Sequence, residues 1–329
     1  MSTTDHPRTD HPHTVDAEPP APPPGPRRSP AARSTRVAVA AAAVVGLLLA
    51  LGVARSTGSS TTPDAAEPPA PAPRARPTGA IDRLVDVHGA RMHVRCDGVG
   101  ATTVVLIAGF ESPGDVWDAV TPTVSRQARV CSSDRFGTGT SAPAPATTQT
   151  FATQAADLRT ALTSLGEPGP YLVVGHSFGG AEAVAFAAMY LAEVEGLVLV
   201  DASPTGWPAA VCAVPDDGTP SSQTFGHLCS YLSTPAANAE HLDAPAAFAE
   251  VAQIDTLHDL PVAVLTAAEH PHGLSPAEEA RLADVWRAGQ DHWASLTTSS
   301  RLVTVDHTGH NVQVDQPGAV IGQIEQLLR

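Results

Sequence analysis

The amino-acid sequence predicts an α/β protein with a mostly parallel central sheet and helices on both faces. The segments Val104–Ala108, Tyr171–Gly175 and Leu197–Val200 are continuous apolar runs, which are typical of strands covered on both faces. Segments of helical length separate them, and apolar residues recur at helical spacing in Phe151–Leu165. Strands that alternate with helices form parallel sheets through right-handed crossover connections.

The other strands and helices continue this alternation along the chain. Further strands are predicted at Ile81–Val87, Met92–Cys96, Ala128–Ser132, Leu260–Leu265 and Arg301–Val305. Further helices are predicted at Val116–Val124, Phe178–Leu191, Pro276–Leu296 and Pro317–Leu328. The first two strands alternate apolar and polar residues around His88-Gly89, which indicates an antiparallel hairpin. The alternation stops at residues 203–258, between the sixth and seventh strands, and this stretch is predicted to be an inserted lid.

The composition supports a packed core and excludes nucleic acid as a partner. Apolar residues make up 43% of the 329 residues, which is enough to offset the entropy of folding. Residues 81–329 carry 28 acidic residues against 11 arginines, and the chain has no lysine. Phosphate binding needs a basic face, which a body of this charge does not offer.

The first 80 residues differ in composition from the rest of the chain. Residues 1–36 are rich in proline and are predicted to be a disordered cytoplasmic tail. His6, His11 and His13 lie in this tail, where solvated side chains are expected rather than metal ligands. Residues 55–80, rich in Pro, Ala, Ser and Thr, are predicted to be a stiff linker, and residues 81–329 form the body.

Residues 37–54 are 18 apolar residues without a charge. At a rise of about 1.5 Å per residue, a helix of this length just crosses a hydrocarbon core of ~30 Å. Most of the flanking arginines precede the segment, which predicts a cytoplasmic N-terminus and an extracytoplasmic body. The segment is predicted to be a transmembrane signal anchor, with a cleaved signal peptide and a secreted body as the alternative.

The four cysteines fit an exported protein. An even number of cysteines in such a chain suggests the disulfides Cys96–Cys131 and Cys212–Cys229, while the other pairings and buried free thiols stay open. The chain has no Cys-x-x-Cys spacing, so we expect no zinc site. No motif for a nucleotide, a flavin or another cofactor is present.

One motif lies directly between a buried strand and a helix. It reads Gly175-His176-Ser177-Phe178-Gly179-Gly180, and its glycines permit a strained bend that exposes the serine hydroxyl above the sheet. Two further motifs are Asp134–Ser141, which reads D-R-x-G-x-G-x-S, and Gly309-His310-Asn311 after the last strand. In these motifs the sequence resembles the α/β-hydrolase superfamily over about residues 82–329. The resemblance implies the α/β-hydrolase fold with a lid between strands 6 and 7.

The resemblance also implies a nucleophile and a base. Ser177 would be the nucleophile, and His310 would take its proton and later pass it to the leaving group. His307 is a rival base, but His310 matches the Gly-His motif of the superfamily. His176 is expected to pack or to orient its neighbours, and Trp117 is expected to belong to the core rather than to the site.

The acid that holds the base has two candidates. Asp201 ends the sixth strand, and Glu269 follows the seventh, where Ala267–His270 replaces the usual G-x-x-D. A buried carboxylate at either place could fix the imidazole tautomer. Asp201 is preferred and Glu269 is the alternative, while Asp255 and Asp259 are expected to be solvated.

The oxyanion hole would consist of two backbone N–H groups. Phe178 follows the nucleophile and would supply one. Phe110 would supply the other from the loop Ala108–Glu111, although Ala108 stands where the superfamily usually has histidine.

Together these residues predict an extracytoplasmic serine hydrolase, with no metal or cofactor, that cleaves an ester or amide through an acyl-enzyme. The composition of the lid suggests a small-molecule substrate with an apolar acyl group. Two alternatives stay open: a ligand-binding or degenerate hydrolase, and a lyase or cofactor-free peroxidase on the same fold. Epoxide hydrolases and dehalogenases attack with aspartate at the turn, so Ser177 argues against them. The sequence does not indicate an oligomeric state.

Overall fold

The computed structural model describes residues 77–329. The predicted tail 1–36, the predicted anchor 37–54 and all but the last four residues of the predicted linker 55–80 lie outside the described residues. Within residues 77–329, no helix combines the length and the apolar character needed to cross a membrane.

Among the described residues, eight strands form one sheet. In chain order they are β1 (Ile81–Val87), β2 (Ala90–Asp97), β3 (Thr103–Ile107), β4 (Arg129–Ser133), β5 (Tyr171–His176), β6 (Val194–Val200), β7 (Val262–Ala267) and β8 (Ser300–Val305). They lie side by side in the order β1-β2-β4-β3-β5-β6-β7-β8. Strand β2 is antiparallel to β1 and β4, and the other neighbours are parallel. The mostly parallel sheet and the first hairpin are therefore confirmed.

Helices cover both faces of the sheet, as predicted. In chain order they are α1 (Thr121–Val124), α2 (Phe151–Leu165), α3 (Phe178–Met189), α4 (Trp207–Cys212), α5 (Pro220–Leu232), α6 (Ala244–Val251), α7 (Pro276–Ser295), α8 (Val312–Asp315) and α9 (Pro317–Leu327). Alternate residues of β3 point to opposite faces, so Val105 belongs to the core under α2, α3 and α7, and Val104 to the core under α9. Trp117 is fully buried in the second core and does not line the site.

Two predictions about local structure were wrong. Residues 116–124 do not form one helix: a 3₁₀ turn covers Gly114–Trp117, and α1 begins at Thr121. The ring of Pro122 would collide with the preceding turn of a continuous helix, so the helix starts anew there. The lid, predicted to lack a regular pattern, contains α4, α5 and α6. Each of these helices has proline in its first two positions, where proline favours helix initiation.

The cysteines pair as predicted. Cys96 and Cys131 face each other across β2 and β4, with sulfur atoms 2.10 Å apart. Cys212 and Cys229 join α4 to α5, with sulfur atoms 2.02 Å apart. The second disulfide therefore connects two helices of the lid.

Candidate active site

Ser177 lies at a sharp turn between β5 and α3. Its φ of 55° and ψ of −125° fall where a residue with a Cβ is strained. A Cβ at Gly175 would lie 2.1 Å from the carbonyl oxygen of Gly179, and a Cβ at Gly179 would lie 2.2 Å from that of Ala108. The bend therefore requires glycine on both sides of Ser177, which is 8% exposed at the carboxyl end of the sheet.

Ser177, His310 and Asp201 form one hydrogen-bonded series. Ser177 Oγ lies 2.9 Å from His310 Nε2, and His310 Nδ1 lies 2.7 Å from Asp201 Oδ2. In the tautomer that fits these contacts, the serine hydroxyl donates to Nε2, and Nδ1–H donates to the carboxylate. These are the contacts that a nucleophile, a base and an orienting acid require.

Asp201 is fully buried, and both of its carboxylate oxygens are hydrogen-bonded. Oδ1 accepts from the backbone N–H of Ala267 at 3.0 Å, the hydroxyl of Thr266 at 3.1 Å and the indole N–H of Trp286 at 3.0 Å. Burial alone would raise the pKa of Asp201, but the hydrogen bonds from His270 and His310 outweigh it and hold that pKa well below its ordinary value. Asp201 is therefore ionised at neutral pH.

His270 is a site residue that sequence reasoning missed. Its Nε2 lies 2.6 Å from Asp201 Oδ2, the same oxygen that His310 contacts. Its ring packs against the indole of Trp286, with ring centres 4.7 Å apart. The only signal in the sequence was its position after the seventh strand, beside the alternative acid Glu269.

The other candidates for acid and base lie away from this series. Glu269 and His307 are exposed, and within residues 77–329 neither side chain forms a hydrogen bond or an ion pair. Asp255 and Asp259 are exposed as well, as expected. Of the two carboxylates that the sequence left open, the structure brings Asp201 into contact with the imidazole of His310.

His176 supports the backbone of the site. Its Nε2–H donates to the carbonyl oxygen of His310 at 2.9 Å, and its ring lies 4.7 Å from the His310 ring. Burial lowers the pKa of His176 to about 3, and the neighbouring His310 contributes to this shift. The ring is therefore neutral and orients His310, in line with the prediction.

The two predicted oxyanion donors lie beside Ser177. Helix α3 begins at Phe178, so its N–H lies at the positive end of the helix. Gly109 approaches Ser177 so closely that a Cβ there would lie 3.3 Å from Ser177 Cβ, and Phe110 follows directly. In the described part of the chain, neither the Phe110 N–H nor the Phe178 N–H donates to an acceptor. Both groups are thus available, and their role stays a prediction.

A cavity of about 210 Å³ adjoins Ser177. Its apolar wall consists of Phe110, Phe178, Trp207, Leu228 and Leu232. Trp207 lies on α4 and the two leucines lie on α5, so the lid supplies much of this wall. Among the described residues that line the cavity there is no Asp, Glu or Arg, so neither a carboxylate nor a guanidinium faces a substrate there.

The described residues contain two clusters of metal-ligand type, and in both of them hydrogen bonds or a disulfide already engage ligand atoms. Asp201, His270 and His310 bring their ligand atoms together, but these atoms are engaged in the hydrogen bonds described above. Cys96 and Cys131 lie near Glu167, but their sulfur atoms are bonded to each other.

Known proteins share this fold. A family model described as the alpha/beta hydrolase fold matches residues 102–215. The crystal structure of Cfl2 from Burkholderia cenocepacia has a TM-score of 0.56 at 22% identity, over 77% of this chain and 97% of that chain. CarC, a serine hydrolase involved in carbazole degradation, has a TM-score of 0.51 at 18% identity, over 76% of this chain and 99% of that chain. The uncharacterized protein YbdG of Bacillus subtilis is 28% identical over 120 residues, which are 36% of this chain and 37% of YbdG.

The chain therefore has the α/β-hydrolase fold, as the motifs predicted, and the family match supports a place in that superfamily. It spans between 26% and 38% of the length of the curated relatives that it matches. At identities below 25%, the solved structures show the fold alone.

Proposed function

We propose that the protein is a serine hydrolase that cleaves an ester or an amide through an acyl-enzyme. The observation that carries this proposal is the series of contacts from Ser177 through His310 to Asp201, at 2.9 and 2.7 Å. A serine hydroxyl is a weak nucleophile at its ordinary pKa, and an imidazole held by a buried carboxylate activates it.

In this reaction Ser177 Oγ attacks the substrate carbonyl carbon while its proton passes to His310 Nε2. The carbonyl oxygen becomes an oxyanion and accepts hydrogen bonds from the N–H groups of Phe178 and Phe110. When the tetrahedral intermediate collapses, the bond to the leaving group breaks and the leaving group takes the proton from His310. Water then attacks the acyl-enzyme with His310 as base, which releases the carboxylic acid and restores Ser177. Ionised Asp201 stabilises the imidazolium in both halves.

The cavity favours a short, uncharged and apolar acyl group. Its volume of about 210 Å³ lies below the 300 Å³ or more that drug-sized ligands occupy. Aromatic and leucine side chains form its wall, so an acyl chain would gain from burial. An ionised group would lose its hydration there without gaining a partner.

We also propose that the body acts outside the cytoplasm on a membrane anchor. Two observations support this location: the apolar segment 37–54 with arginines before it, and two disulfides, which persist in oxidising compartments. Protease added to intact cells should then remove the body. A body that resists the protease until the cells are lysed would contradict this location.

The test of the reaction is Ser177→Ala. We expect the variant to fold, to lose hydrolysis of a short-chain p-nitrophenyl ester, and to lose labelling by a fluorophosphonate probe, because only an activated serine reacts with the probe. The wild-type chain and a Ser203→Ala variant, which removes the hydroxyl 3.2 Å from Ser177 Oγ, are the controls and should still be labelled. Full turnover by Ser177→Ala would refute the mechanism. A folded wild-type chain that takes no label would favour a ligand-binding protein instead.

A further inference from the structure

Arg135 binds the loop that carries Phe110. One NH group of its guanidinium donates to the carbonyl oxygen of Ala108 at 2.7 Å, and another donates to that of Gly109. Arg135 is buried and follows β4 within the motif Asp134–Ser141. A guanidinium is thus fixed to two consecutive peptide groups directly before Phe110.

Arg135 is in turn fixed by Glu240, which belongs to the lid. Nε and one NH group of Arg135 donate to the two carboxylate oxygens of Glu240 at 3.0 and 2.9 Å, a bidentate geometry that defines position as well as charge. Oε1 of Glu240 also accepts the backbone N–H of Glu111 at 2.6 Å. Burial alone would lower the pKa of Arg135, but the carboxylates of Glu240 and Glu182 raise it, so the guanidinium stays charged.

These contacts determine which way the Phe110 N–H points. The carbonyl of Gly109 and the N–H of Phe110 belong to one planar trans peptide group, in which they point in opposite directions. Because Arg135 binds the carbonyl oxygen of Gly109, the N–H of Phe110 points away from Arg135. Ser177 lies close to this loop, since a Cβ at Gly109 would lie 3.3 Å from Ser177 Cβ.

The lid holds the next residue as well. Oε1 of Glu111 accepts the hydroxyl of Tyr231 at 2.6 Å and the backbone N–H of Ala239 at 2.7 Å. Glu111 has a φ of 53°, a conformation that is strained for a residue with a side chain. Contacts from two parts of the lid offset this strain and fix the loop on the far side of Phe110.

We propose that Arg135 and Glu240 are positioning residues, which hold the Phe110 N–H in the orientation that binds the oxyanion. The proposal rests on the serine-hydrolase function given above. It assigns to the lid, through Glu240, a part in transition-state binding in addition to its part in the cavity wall.

A second buried ion pair provides a matched control. Arg129 donates to Glu167 from Nε and one NH group at 3.0 and 2.6 Å, and both side chains are at most 1% exposed. Its remaining contacts are to the carbonyl oxygens of Gly79 and Gly98, which lie outside the site. A change that merely weakens a buried Arg–Glu pair should act alike at both places.

The experiment compares Glu240→Gln with Glu167→Gln in the full chain, with kcat and KM for a p-nitrophenyl ester measured on folded protein. Loss of one oxyanion donor lowers kcat by about 10²–10³, so we expect Glu240→Gln to lower kcat by at least about tenfold with KM changed less than about threefold. The rate of fluorophosphonate labelling should fall in parallel, because that reaction also places negative charge in the oxyanion hole. Glu167→Gln should keep kcat within about twofold.

A second pair of variants serves if Glu240→Gln does not fold. Arg135→Lys and Arg129→Lys keep the buried positive charge, but an ammonium cannot reproduce the contacts of the planar guanidinium. We expect a loss of kcat in Arg135→Lys alone. Wild-type kcat in Glu240→Gln or Arg135→Lys, or equal losses in the two members of a pair, would overturn the proposal. A wild-type chain that is inert to ester and probe would instead overturn the serine-hydrolase function.

Discussion

Each end of strand β4 has a buried arginine that binds a glutamate and two backbone carbonyls, and the two arginines have different consequences. At its amino end, Arg129 binds the carboxylate of Glu167 and two backbone carbonyls. Just beyond its carboxyl end, Arg135 binds the carboxylate of Glu240 and two backbone carbonyls. Both side chains are buried, so each pair has a comparable cost of desolvation.

The two arginines differ in the segments whose carbonyl oxygens they bind. Arg129 joins the segment before β1 to the loop after β2, which fixes the edge of the sheet. Arg135 joins the lid to the loop beside Ser177, and a second carboxylate, Glu182, lies 3.3 Å from it. One ion pair therefore fixes the edge of the sheet, and the other connects the lid to the loop beside Ser177.

The largest expected effect is at the carboxyl end, where Asp201→Asn should lower kcat by about 10⁴. An amide cannot hold the imidazole of His310 in the tautomer that accepts the serine proton, and it cannot stabilise imidazolium. The exposed Glu269→Gln is the matched control and should change kcat less than about threefold. A larger loss in Glu269→Gln would assign the acid to that residue and contradict the geometry.

At the amino end of β4, we expect Arg129→Met to lower the free energy of unfolding strongly and to leave kcat unchanged. Arg129→Met leaves Glu167 buried without a partner, which costs about 3–5 kcal/mol. Urea unfolding followed by circular dichroism measures this cost, and kcat per folded molecule should stay within about twofold of wild type. A tenfold fall of kcat in the folded variant would mean that the two ends of β4 do not differ as described.

The smallest expected effect is the contribution of Glu182 to the pH dependence of the free energy of unfolding. Burial raises the pKa of Glu182 from 4.5 to about 7, because Arg135, which it shares with Glu240, offsets the burial only in part. Since the folded pKa is raised, the contribution of this group to stability is full below about pH 4.5 and is lost as the pH rises through about 7. Relative to Glu182→Gln, the wild-type chain should therefore lose free energy of unfolding across this interval.

Urea unfolding of both chains at several pH values checks this expectation. If the free energies of wild type and Glu182→Gln ran parallel between pH 4.5 and pH 7, the folded pKa of Glu182 would not be raised.

The sequence predicted those parts of the site that leave a local pattern. Ser177 is marked by glycines that the crowded bend requires, and His310 by its place between the last strand and the last helix. Asp201 was preferred over Glu269, but Glu269 stayed open as the alternative, because the choice depends on burial and on contact with an imidazole more than 100 residues away. His270 contacts the same carboxylate across 69 residues, a distance over which sequence spacing carries no signal.

The sequence also predicted the lid only in part. Its position between β6 and β7 followed from the interrupted alternation, but its helices were not predicted. Two of them are short, and each of the three has proline in its first two positions. Arg135 was noticed within its motif, whereas its partner Glu240 lies 105 residues further along with no local mark. The extracytoplasmic location, the oxyanion donors and the apolar acyl substrate stay predictions.

The origin of Glu240 in the lid has a consequence for protein engineering. Lids are attractive segments to graft between enzymes of one scaffold, on the assumption that they alter substrate preference and leave the reactive machinery untouched. A transplant across residues 203–258 here would also remove the carboxylate that anchors Arg135. A functional chimaera would have to bring a glutamate to the same place, so the recipient's guanidinium would dictate which donor lids are compatible.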